Sequence, residues 1–264
     1  MVSIGWLQDR ESIIGGSELS CSRLIETAPA DIEVVRCPPN KRPPRNVAAF
    51  VVQNCTTYTQ RWIEELAVHP VIKQVRDPWY AGDAVLRRWI LDHAVLVTFS
   101  STVHLATFGY NVNAPHKIMP PPLDLTPFRE AALPRAERSG NIFVGRLDPY
   151  KGVPALIDHA LSEHLELDCY GDPYMSFGKL PLNIKLHGQA PYELMPQIMG
   201  KADTLYFWPE WPEAFGRVVA EAWAAGCFLE VRGKVGAMEW IGHKEDEIEQ
   251  GSSMFWNAVQ EVIA

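Results

Sequence analysis

The chain has 264 residues, 47% apolar and 21% charged, which suits one large or two ordinary globular domains with a sizeable core. Its net charge of −8 is unevenly placed: residues 1–125 carry 12 basic and 12 acidic side chains, the remainder 12 and 20. An acidic second half argues against nucleic acid as a main partner. No stretch approaches about eighteen consecutive apolar residues, so no membrane span is expected.

In chain order, strands are predicted over 2–7, 32–37, 48–53, 71–75, 94–100 and 116–120. Helical patterns fall between them near 17–28, 57–68, 82–93 and 101–108. The opening "MVSIGWLQDRESIIGG" lacks the basic region and apolar run of a secretory signal. The five cysteines, Cys21, Cys37, Cys55, Cys169 and Cys227, form no C-x-x-C pair and read as reduced thiols. Together these features predict a cytoplasmic protein. The basic "NKRPPRN" at 40–46 reads as a solvated loop rather than a lipid-binding patch.

The segment 119–140, "MPPPLDLTPFREAALPRAERSG", holds five prolines and is expected to connect two domains. Alternation then resumes, with strands predicted over 141–147, 166–171, 183–188, 203–209 and 227–233 and helices near 152–161, 190–200, 215–225 and 252–263. Strand–helix alternation with nearly all-apolar strands predicts parallel sheets covered on both faces. The expected architecture is α/β: Rossmann-like domains at 1–125 and 126–250 with their sheets facing a cleft, and a helix at 251–264 crossing back to the first domain. Ligands in such sheets bind beyond the carboxyl ends of the strands.

The stretch "PEWPEAFGRVVAEAWAAGC" (209–227) places Glu213 and Glu221 eight positions apart around Phe215 and Gly216. At about 100° per residue, Val218, Val219, Ala222 and Ala225 share one helix face, with Glu221 on its flank. Gly216 at the helix start gives a ligand access to the first-turn N–H groups, which favour an anion. The plainer reading is a surface ion pair between Arg217 and Glu221, four apart, worth about 0.3–0.5 kcal/mol. Earlier, "FVGRLDPYKG" releases Arg146 and Lys151 from a strand end, a fork and a point charge suited to a diphosphate. Singly, each is equally a solvated cation of an ordinary turn.

The combination resembles the second domain of the retaining glycosyltransferases of family 4, which have the GT-B fold. The family pattern G-R-L-x-x-x-K-G, then a G-D/E-G strand end, then P-S-x-x-E-x-F-G-x-x-x-x-E-A-x-A-x-G is similar to "GRLDPYKG", "CYGDPY" and "PEWPEAFGRVVAEAWAAGC" in order and spacing. "IMPPPLDLTPF", "GKVGAMEWI" and "IIGGSELSCSRLI" are similar to further family segments, the last to a G-G-x-E turn.

The resemblance implies a nucleoside-diphosphate sugar as donor substrate, with no cofactor. Glu221 is then expected to hold the ribose hydroxyls and Glu213 to face the transferred sugar. Arg146, Lys151 and the backbone at Phe215 and Gly216 are expected to hold the diphosphate, with Gly15 and Gly16 approaching it from the first domain. "HGQAP" (187–191), containing Gly188, is expected to border the base. Asp77, in "VRDPWY", and Asn54 are candidates for orienting an acceptor hydroxyl; the plainer role for Asp77 is pairing with Arg76 or Arg88.

No D-x-D and no H-E-x-x-H occurs in the chain, so the cations are expected to stand in for a metal, stabilising charge that develops on the departing diphosphate. The leading function is a metal-independent hexosyltransferase acting on an unidentified sugar, lipid or protein acceptor. Retention of anomeric configuration follows from the resemblance alone. The alternative is a nucleotide-sugar-binding protein or subunit without transferase activity, and a sugar-nucleotide epimerase is a third reading. No G-x-G-x-x-G follows the first strand, which disfavours a dehydrogenase.

Overall fold

The computed structural model describes residues 1–8, 15–39, 41–53, 58, 62, 66, 68–76, 84–109, 112–178 and 180–264, of which 84–87 by backbone alone. The predicted helix at 57–68 falls mostly outside these residues, as do Asn54, Cys55 and Asp77. The chain divides into two compact units. One comprises Met1–Leu123 with Lys244–Ala264, and the other comprises Asp124–His243.

In the first unit, β1 (Val2–Leu7), β2 (Ile32–Arg36), β3 (Ala49–Val52), β4 (Val71–Gln74), β5 (Leu96–Phe99) and β6 (His116–Ile118) form a parallel sheet in the order β2-β1-β3-β4-β5-β6. All four residues of β3 and all four of β5 are buried, as expected of a parallel strand covered on both faces. The helices α1 (Gly16–Glu26), α2 (Ala84–His93) and α3 (Thr102–Ala106) alternate with the strands. The C-terminal helix α8 (Gly251–Ile263) also belongs to this unit. Its Phe255 and Trp256 pack against Trp6, and Trp256 Nε1 donates to Leu24 O at 2.9 Å.

The second unit holds β7 (Asn141–Val144), β8 (Leu167–Tyr170), β9 (Ile184–Gly188), β10 (Thr204–Phe207) and β11 (Phe228–Val231), again parallel, in the order β11-β10-β7-β8-β9. Counted from β7 this is the doubly wound order, and its direction of travel reverses between β7 and β10. The loops leaving those two strands are therefore the ones that flank a switch point. The helices are α4 (Thr126–Ala131), α5 (Val153–Ser162), α6 (Met195–Lys201) and α7 (Arg217–Ala224).

The proline-rich 119–140 contains the boundary between the units, after Leu123, and then forms α4 within the second unit, with Phe128 1% exposed. Pro127 lies in the first turn, where a missing N–H costs nothing, so the same residue type that ends strands begins this helix. The helix predicted over 190–200 is a 3₁₀ turn, Tyr192–Leu194, followed by α6, because Pro196 favours a helix start there rather than an interior position.

Candidate functional site

The loop after β7 is shaped by Asp148, which is 4% exposed. Its Oδ1 accepts from the Lys151 N–H at 2.9 Å, capping the 3₁₀ turn Pro149–Lys151, and its Oδ2 pairs with Arg146 Nε. One buried carboxylate therefore fixes the chain around both candidate cations. Arg146 is half exposed and its guanidinium lies 5.0 Å from the Tyr174 ring centroid. Gly152 ends the turn with φ 74°, and an added Cβ would meet Trp208 O at 1.7 Å, so the β7 loop packs directly on the end of β10.

The loop after β10 supplies the opposite charge. Glu213 is held in extended backbone against Val235, with its N–H donating to Lys234 O at 2.8 Å and its carbonyl accepting from Gly236 N at 3.0 Å. Its Oε2 forms an ion pair with Lys151 Nζ, both side chains being about three-quarters buried. Glu210 N–H donates to Tyr150 O at 3.1 Å, a second tie between the two loops. Gly216 caps α7 with φ 81° and ψ 64°, a left-handed conformation that glycine alone adopts without strain. A Cβ there would lie 3.2 Å from Glu213 Cγ, so the helix tip and the carboxylate are immediate neighbours. Phe215 is buried and its carbonyl accepts from Ala237 N–H at 2.6 Å.

Glu221 departs from the flank position read from helical spacing. It is 5% exposed, and its Oε1 accepts from Tyr192 Oη at 2.8 Å and from Arg217 Nη2 at 3.3 Å. The Arg217–Glu221 pair exists, but with side chains 15% and 6% exposed it is not a surface pair. Burial, then the Glu221 charge, pushes the Tyr192 phenol up to about 12, with Arg217 opposing, so it stays protonated and donates.

The structure thus brings Lys151, Glu213 and Gly216 together. Arg146 stays with Asp148, Glu221 lies along α7 with Tyr192, and Gly188 ends β9 with φ 69°. Gly15 and Gly16 open α1 in the first unit, and Asp77 lies outside the described residues. Sequence reading passed over Asp148 and Tyr192. The Asp-Pro pair of "LDPYK" is a readable cap signal, whereas nothing local marks Tyr192.

No family model and no curated protein sequence matches the chain. Solved structures do. HepE of Anabaena, in complex with UDP and glucose, superposes with a TM-score of 0.69 at 17% identity over 100% of this chain and 92% of its own. Sucrose-phosphate synthase of Thermosynechococcus elongatus gives 0.73 at 16%, over 100% and 90%. WaaG, a glycosyltransferase involved in lipopolysaccharide biosynthesis, gives 0.58 at 14%, over 99% and 94%. The fold is GT-B. Within that GT-B frame, the β7 and β10 loops carry the charged groups described above. Among the described residues, no group of three or more His, Cys, Asp or Glu side chains could hold a metal ion, and no helix is long and apolar enough to cross a membrane.

Proposed function

We propose that this GT-B chain transfers a glycosyl group from a nucleoside-diphosphate sugar to an acceptor, using protein cations instead of a metal. The observation that carries the reading is the meeting of Lys151, Glu213 and the glycine-capped tip of α7 at the switch point between β7 and β10. A departing diphosphate develops negative charge, and preorganised positive groups aimed at it lower the barrier more than any other single effect in such reactions. Arg146 and Lys151, fixed through Asp148, supply that charge together with the helix dipole. Glu213 faces the transferred sugar, Glu221 holds the ribose, Phe215 and Gly216 offer backbone to the phosphates, and Gly188 borders the base. Gly15 and Gly16 complete the phosphate contacts, and Asp77 orients the acceptor hydroxyl. The HepE complex with UDP and glucose supports a nucleotide-sugar partner on this fold. Retention of anomeric configuration and a cytoplasmic location complete the proposal.

The test is turnover with a panel of UDP-, GDP- and ADP-sugars and mixed acceptors in excess chelator. Transfer or slow donor hydrolysis that survives chelation, and that is lost in Arg146→Ala and Glu213→Ala, supports the reading. Donor binding without turnover of any donor would instead assign the chain as a nucleotide-sugar-binding subunit, and strict dependence on Mg²⁺ or Mn²⁺ would overturn the cation assignment.

A further inference from the structure

Tyr192, Arg217 and Glu221 form a closed triangle whose two donors converge on one carboxylate oxygen. Tyr192 Oη lies 2.8 Å from Glu221 Oε1, while Arg217 Nη2 lies 3.3 Å from the same oxygen and 3.2 Å from Tyr192 Oη. Among the described residues no donor reaches Oε2, and that oxygen retains solvent access. A structural ion pair of arginine and glutamate commonly engages both oxygens through the guanidinium fork. Here the arginine meets one oxygen at the long end of hydrogen-bond range, and the short bond comes from a tyrosine on another element. Being accessible, Oε2 is solvated in the free protein and open to a ligand hydroxyl that takes the place of water. The arrangement is that of an acceptor held in one orientation for an incoming donor.

We propose that Tyr192, with Arg217, is a positioning residue that fixes Glu221 so that Oε2 alone meets a hydroxyl of the donor ribose. This rests on the reading of Glu221 as the ribose-holding group. The elevated Tyr192 phenol keeps its proton at any ordinary pH, so the orientation does not depend on titration of that group. The chemistry at Oε2 is acceptance of a neutral O–H by an ionised oxygen, so a nucleotide lacking the ribose hydroxyls leaves Oε2 unmatched and binds more weakly.

The experiment is calorimetric titration of wild type, Tyr192→Phe, Arg217→Gln and Glu221→Ala with UDP, GDP and ADP and with their 2′,3′-dideoxy counterparts. For the base that binds, wild type should prefer the ribonucleotide by about tenfold or more. Glu221→Ala should abolish that preference. Tyr192→Phe should reduce it by about fivefold while leaving affinity for the dideoxy compound unchanged, which also shows that the variant is folded. Arg217→Gln should reduce the preference in the same direction and gives a second reading if Tyr192→Phe fails to fold. A preference retained in Tyr192→Phe but lost in Glu221→Ala would overturn the positioning role alone. A preference retained in Glu221→Ala, or no binding of any nucleotide, would overturn the underlying assignment and this inference with it.

Discussion

Lys151 and Glu213 form an ion pair across 62 residues of sequence, joining the loop that leaves β7 to the loop that leaves β10. A diphosphate held by Lys151 must therefore displace, or share the cation with, the carboxylate proposed to face the sugar. That competition gives a split prediction. Glu213→Gln should tighten binding of the free nucleoside diphosphate by about three- to tenfold, because Lys151 loses its anionic partner at a partly buried site. The same substitution should lower kcat by about 10²–10³, the usual cost of one group aimed at transition-state charge. Calorimetry and initial rates on the same preparation check both halves. Weaker nucleotide binding in Glu213→Gln would show that the carboxylate does not compete for the cation.

Asp148 is the buried hinge of the cation loop. Asp148→Ala removes the cap on Lys151 N–H and the partner of Arg146 Nε, and should cost about 1–3 kcal/mol of stability. It should also raise the KM for donor more than Arg146→Ala or Lys151→Ala does singly, since both cations lose their orientation. Urea denaturation and donor-concentration kinetics give the two numbers. A variant with wild-type KM would separate the cap from the site.

Gly216 adopts φ 81°, and an added Cβ would lie 2.9 Å from Val235 Cγ1. Gly216→Ala therefore meets both left-handed strain and a crowded neighbour, at about 1–2 kcal/mol. Because the same Cβ approaches Glu213 Cγ, donor turnover should fall further than stability does. A fully active Gly216→Ala protein would remove the helix tip from the proposed site.

Much of this organisation is legible in the sequence, and the reasons it is not all legible are local. Strand positions follow from continuous apolar runs, so all of the predicted strands of the second unit reappear within a few residues at each end. The "EAFG" and "RLDPYK" segments mark their loops because glycine, Asp-Pro and paired charges have few other uses at strand ends. Tyr192 escapes because its meaning comes from Glu221, 29 residues away. Glu221 itself misleads: helical spacing puts it on a flank, but the 3₁₀ turn carrying Tyr192 covers that flank and makes it interior. Proline carries two meanings at 119–140, where it marks the break between the units and also starts α4.

Alkaline pH should expose the energetic role of buried acidic protons. Burial pushes the Cys21 and Cys169 thiols from 9.0 to about 12, and the Cys37 and Cys227 thiols to about 11. Burial and the Glu221 charge raise Tyr192 from 10.0 to about 12. Between the ordinary and the raised values the folded chain keeps protons that the unfolded chain has lost. The folded state binds more protons there, so stability falls as pH rises. Each such group contributes a loss of about 1.4 kcal/mol per pH unit within its own window. The expected profile is flat through neutrality, falls from about pH 9 and steepens above pH 10 as Tyr192 joins the thiols. Chemical denaturation from pH 7 to 10.5 measures it. Replacing Cys21, which pairs with Gln53 Oε1 inside the first unit, by alanine should lower stability at pH 7 yet flatten the alkaline slope. A profile as steep without the thiol as with it would assign the alkaline loss to other groups.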